Sequence, residues 1–489
     1  LGRREEALLC IEENLKLDPF DFLSGNERVI LNHGDRKQRE ELNCLMRNFH
    51  ENYLMTARDY AEAGAFEEAE ALLKECRKEY PMLFYYRAYY LRKLRDRRLE
   101  DNDDDISGDI YRLLRRGEEC SPDYCFPNKL EDIPVLGFAI EEGCVSKAGY
   151  YLGCLYYDKL QWQEALTLWE KSAQGQPEFP MVHRNLALAY YNKKKDPQAA
   201  QTALEKAFAL NTEDPRIFLE LDQLYKKLGW SFRRRLENYE LHEELIRQRD
   251  DLYIEYITLL NLAGNHEKAY DCIMGHRFHP WEGGEGKITT QYTLTLVEMA
   301  RKAQGQGRFA DAEELLRKAL SYPENLGEGR LEGTKDNHIY YHLGLALEAQ
   351  GRDGEAQECF QKATLGTDEP AGAMYYNDQP ADMILYQGLA YRKLGRVREA
   401  NSRFYRLLDY GERHLEDRMK IEYFAVSLPD FLIFDDDYTL KNRAHCYYLM
   451  ALGNMGLGNK EKAAEFLEKA AETEPSHMMC RVYRSRDLL

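Results

Sequence analysis

The stretch Gly149-Tyr150-Tyr151-Leu152-Gly153, followed by Tyr156, Ala165, Trp169 and Pro177, decides how this chain is read. Small residues stand at Gly153 and Ala165 and large ones at Tyr156 and Trp169, in an order that fits one helix, a tight turn and a second helix. Two helices nest only where small side chains let them approach, and large ones then fill the space alongside. Pro177 lacks the amide that another helical turn would need, so it closes the second helix.

The same register recurs. Tyr53, Tyr60, Gly64, Ala69 and Pro81 make one copy, and His183, Leu186, Tyr190, Ala200, Leu204 and Ala207 make another. Further copies pair Gly264 with Ala269, Gly307 with Ala312, Gly351 with Ala356, Gly395 with Ala400, and Gly458 with Ala463 and Pro475. The unit resembles the tetratricopeptide repeat (TPR), a helical hairpin of about 34 residues. The expected fold is all-α: a TPR-like α-α superhelix, a right-handed solenoid of hairpins with irregular insertions.

Residues 1–489 are expected to form one continuous array. Within it, 1–145 hold degenerate repeats, 146–275 regular ones, 276–290 a Trp/Gly-rich loop and 291–489 the C-terminal repeats. Gly2, Ala7 and Pro19 fit the second helix of a copy whose first helix is missing, which predicts an N-terminal truncation. Insertions are expected at 99–143, with the acidic run Asp101, Asp103, Asp104, Asp105 as a solvated loop, and at 409–440. The Arg216 to Asp250 element, with Arg233 to Arg235, reads as a degenerate copy. Signature alanines Ala312, Ala356 and Ala400 are spaced more widely than the repeat, which predicts long helices or long loops.

Charge narrows the partners. Lys plus Arg total 67 against 85 Asp plus Glu, a formal net charge of -18 that repels nucleic-acid phosphates. No apolar run approaches the ~18 residues that span a bilayer. Eleven Cys, an odd number in no regular framework, read as reduced thiols and place the chain in the cytoplasm.

The segment His276-Arg277-Phe278-His279-Pro280-Trp281-Glu282-Gly283-Gly284-Glu285-Gly286-Lys287 is the least repeat-like. Its glycines permit close backbone approach and Trp281 offers a stacking face for a sugar or a flat apolar group, whereas the plainer reading is a turn anchored by a buried Trp. Glu282 and Glu285 could pair as a glycosidase acid and base, which needs two carboxylates flanking the scissile bond, but their spacing alone establishes no such pair. His276 with His279, His338 with His342, and Cys120 with Cys125 each lack further ligands at metal-site spacing, so no metal and no cofactor is expected. Gly327, Gly329 and Gly333 mark a connection between helices, since no strand precedes them as a phosphate cradle would require.

Tyr is abundant, at 35 residues, and many lie on first helices. Tyr150, Tyr151, Tyr157, Tyr191, Tyr341 and Tyr448 fall where they can face an inner groove, with Arg184 and Asn185 beside them and His342 next to Tyr341. Such a surface suits a peptide, a glycan or a neighbouring domain; the competing explanation is that hairpin packing itself consumes the aromatics.

Several stretches carry more than the repeat demands: Tyr150 to Gly153 with Leu155-Tyr156-Tyr157-Asp158, His183 to Tyr191, Arg277 to Gly286, and Tyr423 to Asp430 with His445-Cys446. In these the chain resembles a bacterial family of unknown function whose members carry an N-terminal domain similar to the galactose-mutarotase-like β-sandwiches, followed by a TPR array. The resemblance implies a carbohydrate-related context through that upstream domain and transfers no catalytic residue. The expected function is an interaction scaffold that is not itself an enzyme and docks its own upstream domain or a protein partner. The rival expectation is that loop 279–287 completes a carbohydrate-active site.

Overall fold

A computed structural model describes residues 3–97, 104–281, 283–371, 379–419 and 433–484, and all regular structure among them is helical. Contacts divide the chain into two compact units, Leu1–Asp196 and Pro197–Leu489.

In both units the hairpins close in the way their residue sizes dictate. A Cβ on Gly153, in helix Lys147–Asp158, would lie 2.5 Å from the Trp169 ring of helix Trp162–Gly175. Gly344 stands in the same relation to Phe360, at 2.6 Å, and Gly388 to Phe404, at 2.3 Å. Each glycine thus makes the hollow that the next helix's aromatic fills. Signature alanines Ala69, Ala165, Ala200, Ala269, Ala312, Ala356, Ala400 and Ala463 are all buried.

Turns repeat as well. The residue five before each signature alanine is left-handed: Gly64, Gly264, Gly307, Gly351, Gly395 and Gly458 have φ between 75° and 80°. After each, an amide reaches back over the helix end, as Ala65 N does to Tyr60 O at 2.8 Å and Asn459 N to Asn454 O at 2.9 Å. That six-residue closure satisfies carbonyls the helix end would leave bare. Leu160 and Lys195 occupy the same position without glycine, at φ 63° and 54°.

The first unit departs from expectation at 99–143. Instead of a loop insertion, helices Asp104–Glu119 and Asp132–Glu141 occupy most of it, and the acidic run leads into the first of them while Asp101 and Asp103 lie outside the described residues. Helix Asp104–Glu119 buries Ile110 and Leu114 and pairs with helix Pro81–Arg97. The pairing was hidden because the sizes are exchanged: Gly117 is on the second helix and Tyr85 on the first, with a Cβ-to-ring approach of 2.7 Å. Along the sequence, Ala165 of this unit and Ala200, the first signature alanine of the next, are 35 residues apart, one more than the repeat of about 34. A π-helical turn at Tyr190–Lys194 absorbs that extra residue.

In the second unit the wide spacing from Ala312 to Ala356 arises from a connection, because helices Phe309–Ala319 and Asn337–Ala349 are of ordinary length while 320–336 is a long link between them. Helix Val397–His414 extends into the expected 409–440 insertion and Tyr438–Leu457 begins within it; Tyr423 to Asp430 lie outside the described residues. Arg233 to Arg235 also resolve. Arg235 is buried and bonds Asp222 Oδ1 at 2.8 Å, Asp222 Oδ2 at 2.6 Å and Glu255 Oε1 at 2.6 Å, tying helices Pro215–Lys227, Phe232–Glu240 and Asp250–Leu262. This hairpin adds an ion cluster to aromatic packing, with the buried Phe218 and Tyr239 rings 5.2 Å apart. The last helix, Met478–Arg484, returns onto early helices of the same unit.

Candidate functional site

On first helices of the first unit, the expected tyrosines divide between core and rim. Tyr151 is fully buried rather than groove-facing, its ring 6.4 Å from Tyr85 and 5.6 Å from Tyr150. Tyr150 is half-buried, edge-on to Phe179 at 4.9 Å, and its carbonyl accepts the Trp169 indole N–H at 3.1 Å. Burial, then the neighbouring Cys154 thiol, pushes the Tyr150 phenol far above its ordinary range. Tyr157 lies 5.2 Å from Trp169 and remains partly exposed. Packing therefore claims Tyr151 outright and holds one face of Tyr150 and Tyr157.

Polar side chains sit beside this rim. Arg184 Nη1 donates to Asn185 Oδ1 at 3.1 Å, and Asn185 Nδ2 to Cys154 Sγ at 3.4 Å, bridging helices Pro180–Ala189 and Lys147–Asp158. Burial first, offset in part by hydrogen bonds from Tyr150, Trp169 and Asn185, raises the Cys154 thiol to about 11, so it is an acceptor here and not a nucleophile. Arg184 and Tyr191 are partly exposed, Tyr191 within the π-helical turn.

Around Trp281, in the second unit, several polar groups of the loop are engaged with the protein itself. Asp250 Oδ1 meets His276 Nε2 at 2.8 Å and Asp250 Oδ2 accepts His279 N at 2.6 Å. Asn325, from the next long connection, donates to Ile273 O at 2.7 Å and His276 O at 2.8 Å, and its carbonyl accepts Phe278 N at 2.8 Å. Phe278 is buried, and Gly327 (φ 70°) passes so close that a Cβ there would stand 2.5 Å from Phe278 O. Trp281 packs on the core and covers Gly284, where a Cβ would be 2.2 Å from the ring. Glu285 accepts Gly283 N at 2.8 Å, and Glu328 accepts Gly286 N at 2.9 Å. Burial, with Glu285 nearby, raises the Glu328 carboxyl above its ordinary value despite that amide. Glu282 lies outside the described residues; the His279 ring is exposed. The geometry is that of two connections spliced together, and Asp250, Asn325 and Glu328, which motif reading passed over, are the pins.

Tyr341 and His342 enclose a different ring. Tyr386, fully buried, has Tyr341 at 5.7 Å, His342 at 5.7 Å and His338 at 5.9 Å. His342 is itself buried, 3.5 Å from Arg301 Nη1. Tyr448, also expected in a groove, is buried against His477 at 4.9 Å and Tyr483 at 5.8 Å. Among the described residues no group of three or more His, Cys, Asp or Glu is placed to hold a metal ion, and no helix is long and apolar enough to cross a membrane.

Family models agree with the hairpin geometry. Tetratricopeptide repeat models match residues 150–215 and 297–370, and a second repeat model matches 444–477. TPR repeats are therefore present, in an all-α array of helical hairpins. Among solved structures, the chain is similar to the TPR domain of P58(IPK), at 12% identity and TM-score 0.26 over 99% of this chain and 95% of that one. It is also similar to pilF of Pseudomonas aeruginosa (14%, TM-score 0.19, 56% of this chain and 98% of that one). A third is YrrB, described as a TPR protein with an unusual peptide-binding site (15%, TM-score 0.19, 53% of this chain and 100% of that one).

Proposed function

We propose that this chain is a protein-interaction scaffold whose first-unit rim, Tyr157, Arg184 and Tyr191 over the buried Asn185, receives a protein segment. The observation that carries the reading is the division of labour in the hairpins. Gly153, Ala165 and Trp169 supply the packing, which leaves Arg184 and Tyr191 partly exposed on a rigid helical frame. A guanidinium beside aromatic rings on such a frame is the composition that interface anchors favour.

The partner we favour is a β-sandwich domain of the kind carried upstream by the family this sequence resembles. Mixed with that domain, the chain should co-elute from a sizing column, and the Arg184→Ala/Tyr191→Ala variant should lose the complex while keeping its helical circular dichroism. Independent elution of both wild-type components would refute the partner. The carbohydrate-active reading has less support, because Glu285 is engaged with Gly283 N and one face of Trp281 is covered by Gly284.

A further inference from the structure

The second unit closes on itself. Gln291 Nε2, on helix Lys287–Gly305, donates to Met478 Sδ at 3.3 Å, and the Arg481 guanidinium lies 4.2 Å from the centre of the Phe232 ring. Tyr483 Oη bonds Asp382 Oδ2 at 3.1 Å, and Lys227 pairs with Asp436. Residues of the final helix, Met478–Arg484, thus touch helices Phe232–Glu240, Lys287–Gly305, Asp382–Lys393 and Tyr438–Leu457. They occupy a seat built from several repeats.

That seat is mismatched to its occupant in two places. Thr295 Oγ1 donates to Asn261 Oδ1 at 3.0 Å, Asn261 Nδ2 to Gln291 Oε1 at 2.9 Å, and the chain of polar groups ends on the Met478 thioether. Asn261, Gln291 and Thr295 are all buried, with part-buried His266 Nδ1 3.1 Å from Asn261 Oδ1 at the other end, so the last amide of the seam meets one of the weakest acceptors a protein offers. At the rim, Arg481 and Arg233 lie over the same Phe232 ring, at 4.2 and 5.8 Å. Arg481 has no carboxylate partner among the described residues, and burial, Arg484 and Arg233 all disfavour its charge. Cys480 and Tyr483, by contrast, are well seated and buried.

We propose that this seat is a binding site for a short amphipathic helix of a partner protein, and that Met478–Arg484 is its resident, displaceable occupant. The preferred partner keeps the small and aromatic anchors of Cys480 and Tyr483, and places a carbonyl oxygen opposite Gln291 and a carboxylate opposite Arg233. Seven residues make a small docked element, and a competing segment that satisfies both mismatches replaces it by mass action. This site is separate from the first-unit rim, so its failure leaves the scaffold reading at Arg184 and Tyr191 standing.

The test uses the full chain and labelled synthetic peptides of residues 474–484, one native in sequence and one carrying M478Q and R481E, read by fluorescence anisotropy. The substituted peptide should bind at least tenfold more tightly than the native one, and should gain at least tenfold more on a full chain whose own helix is loosened by Tyr483→Ala. Equal binding of the two peptides, or none, overturns the proposal. Hydrogen exchange on the unmodified chain guards against a misfolded variant. Amides of 478–484 should exchange through local opening while helices Asp250–Leu262 and Lys287–Gly305 stay protected, and exchange only in step with those helices overturns the proposal equally.

Discussion

Replacing Leu160 by glycine should stabilise the first unit, against the usual expectation that a glycine weakens a helical protein. Leu160 stands at φ 63° in the turn between helices Lys147–Asp158 and Trp162–Gly175, where six equivalent turns use glycine. Its side chain is 66% exposed, so little packing is lost with it. A left-handed conformation costs an L-residue about 1–2 kcal/mol. Glycine returns roughly 0.5–1 kcal/mol of that through its larger unfolded-state entropy. The net gain is about 0.5–1 kcal/mol, which corresponds to roughly two- to fivefold in an opening equilibrium. Because repeat arrays unfold in segments, site-resolved hydrogen exchange of 147–175 is the right assay. Protection there should rise by that factor in Leu160→Gly and stay unchanged in Leu160→Ala, which removes the side chain but keeps the strained backbone. Gly264→Leu should show the opposite sign in the second unit. Equal protection in Leu160→Gly and Leu160→Ala would refute the argument that backbone conformation, not side-chain identity, is what glycine serves at these turns.

Asn325→Ala removes the donor shared by Ile273 O and His276 O and should cost about 1–3 kcal/mol locally; tryptic cleavage at exposed Arg277 would then accelerate, and an unchanged digestion rate would show that the splice does not depend on this pin. Arg235→Met leaves the buried Asp222 carboxylate with only the Tyr239 hydroxyl, while Glu255 keeps Lys226, and should destabilise the second unit by about 3–5 kcal/mol; urea denaturation of Arg235→Met/Asp222→Leu should recover part of that loss. Acid should act on His477, whose pKa is lowered to about 4 by burial and then by His445. A depressed histidine pKa means the folded state holds the neutral form, so its contribution is complete above pH 6.5 and lost as pH falls toward 4, by at most about 3 kcal/mol. Exchange of 478–484 measured between pH 7 and 4.5 should accelerate over that window, and His477→Gln should flatten the profile.

How much of this was legible in the sequence depends on which physical rule each segment uses. Where a hairpin nests a small residue of its first helix under an aromatic of its second, as Gly153 under Trp169, size alone marks both partners and their spacing. Gly117 and Tyr85 obey the same rule with the roles exchanged, so a pattern search in one direction sees an insertion where a hairpin stands. Arg235 obeys a different rule. Its hairpin sets a buried ion cluster beside the packing of Phe218 on Tyr239, and nothing in the run Arg233 to Arg235 says which guanidinium is buried until Asp222 and Glu255 are brought alongside it.

The candidate sites were less legible for a related reason. Counting residues along a first helix places a side chain on a face, but which face is open depends on where the neighbouring elements lie, and those contacts are long-range. Tyr150 and Tyr151 are adjacent in sequence, yet one keeps a rim position and the other is enclosed. Tyr448 is covered because helix Met478–Arg484 folds back over it, a contact no local pattern encodes. The loop at Trp281 looked purposeful because it departs from the repeat, and its residues are indeed engaged, with the backbone of a second connection at Asn325 and Glu328. Departure from a repeat therefore marks a place where some other interaction has taken over. Whether that interaction is a ligand's or the protein's own follows only from where the hydrogen bonds end. In the Thr295, Asn261 and Gln291 seam they end on a sulfur, and that makes the seat of the final helix, more than the Trp281 loop, the place to look for a visiting partner.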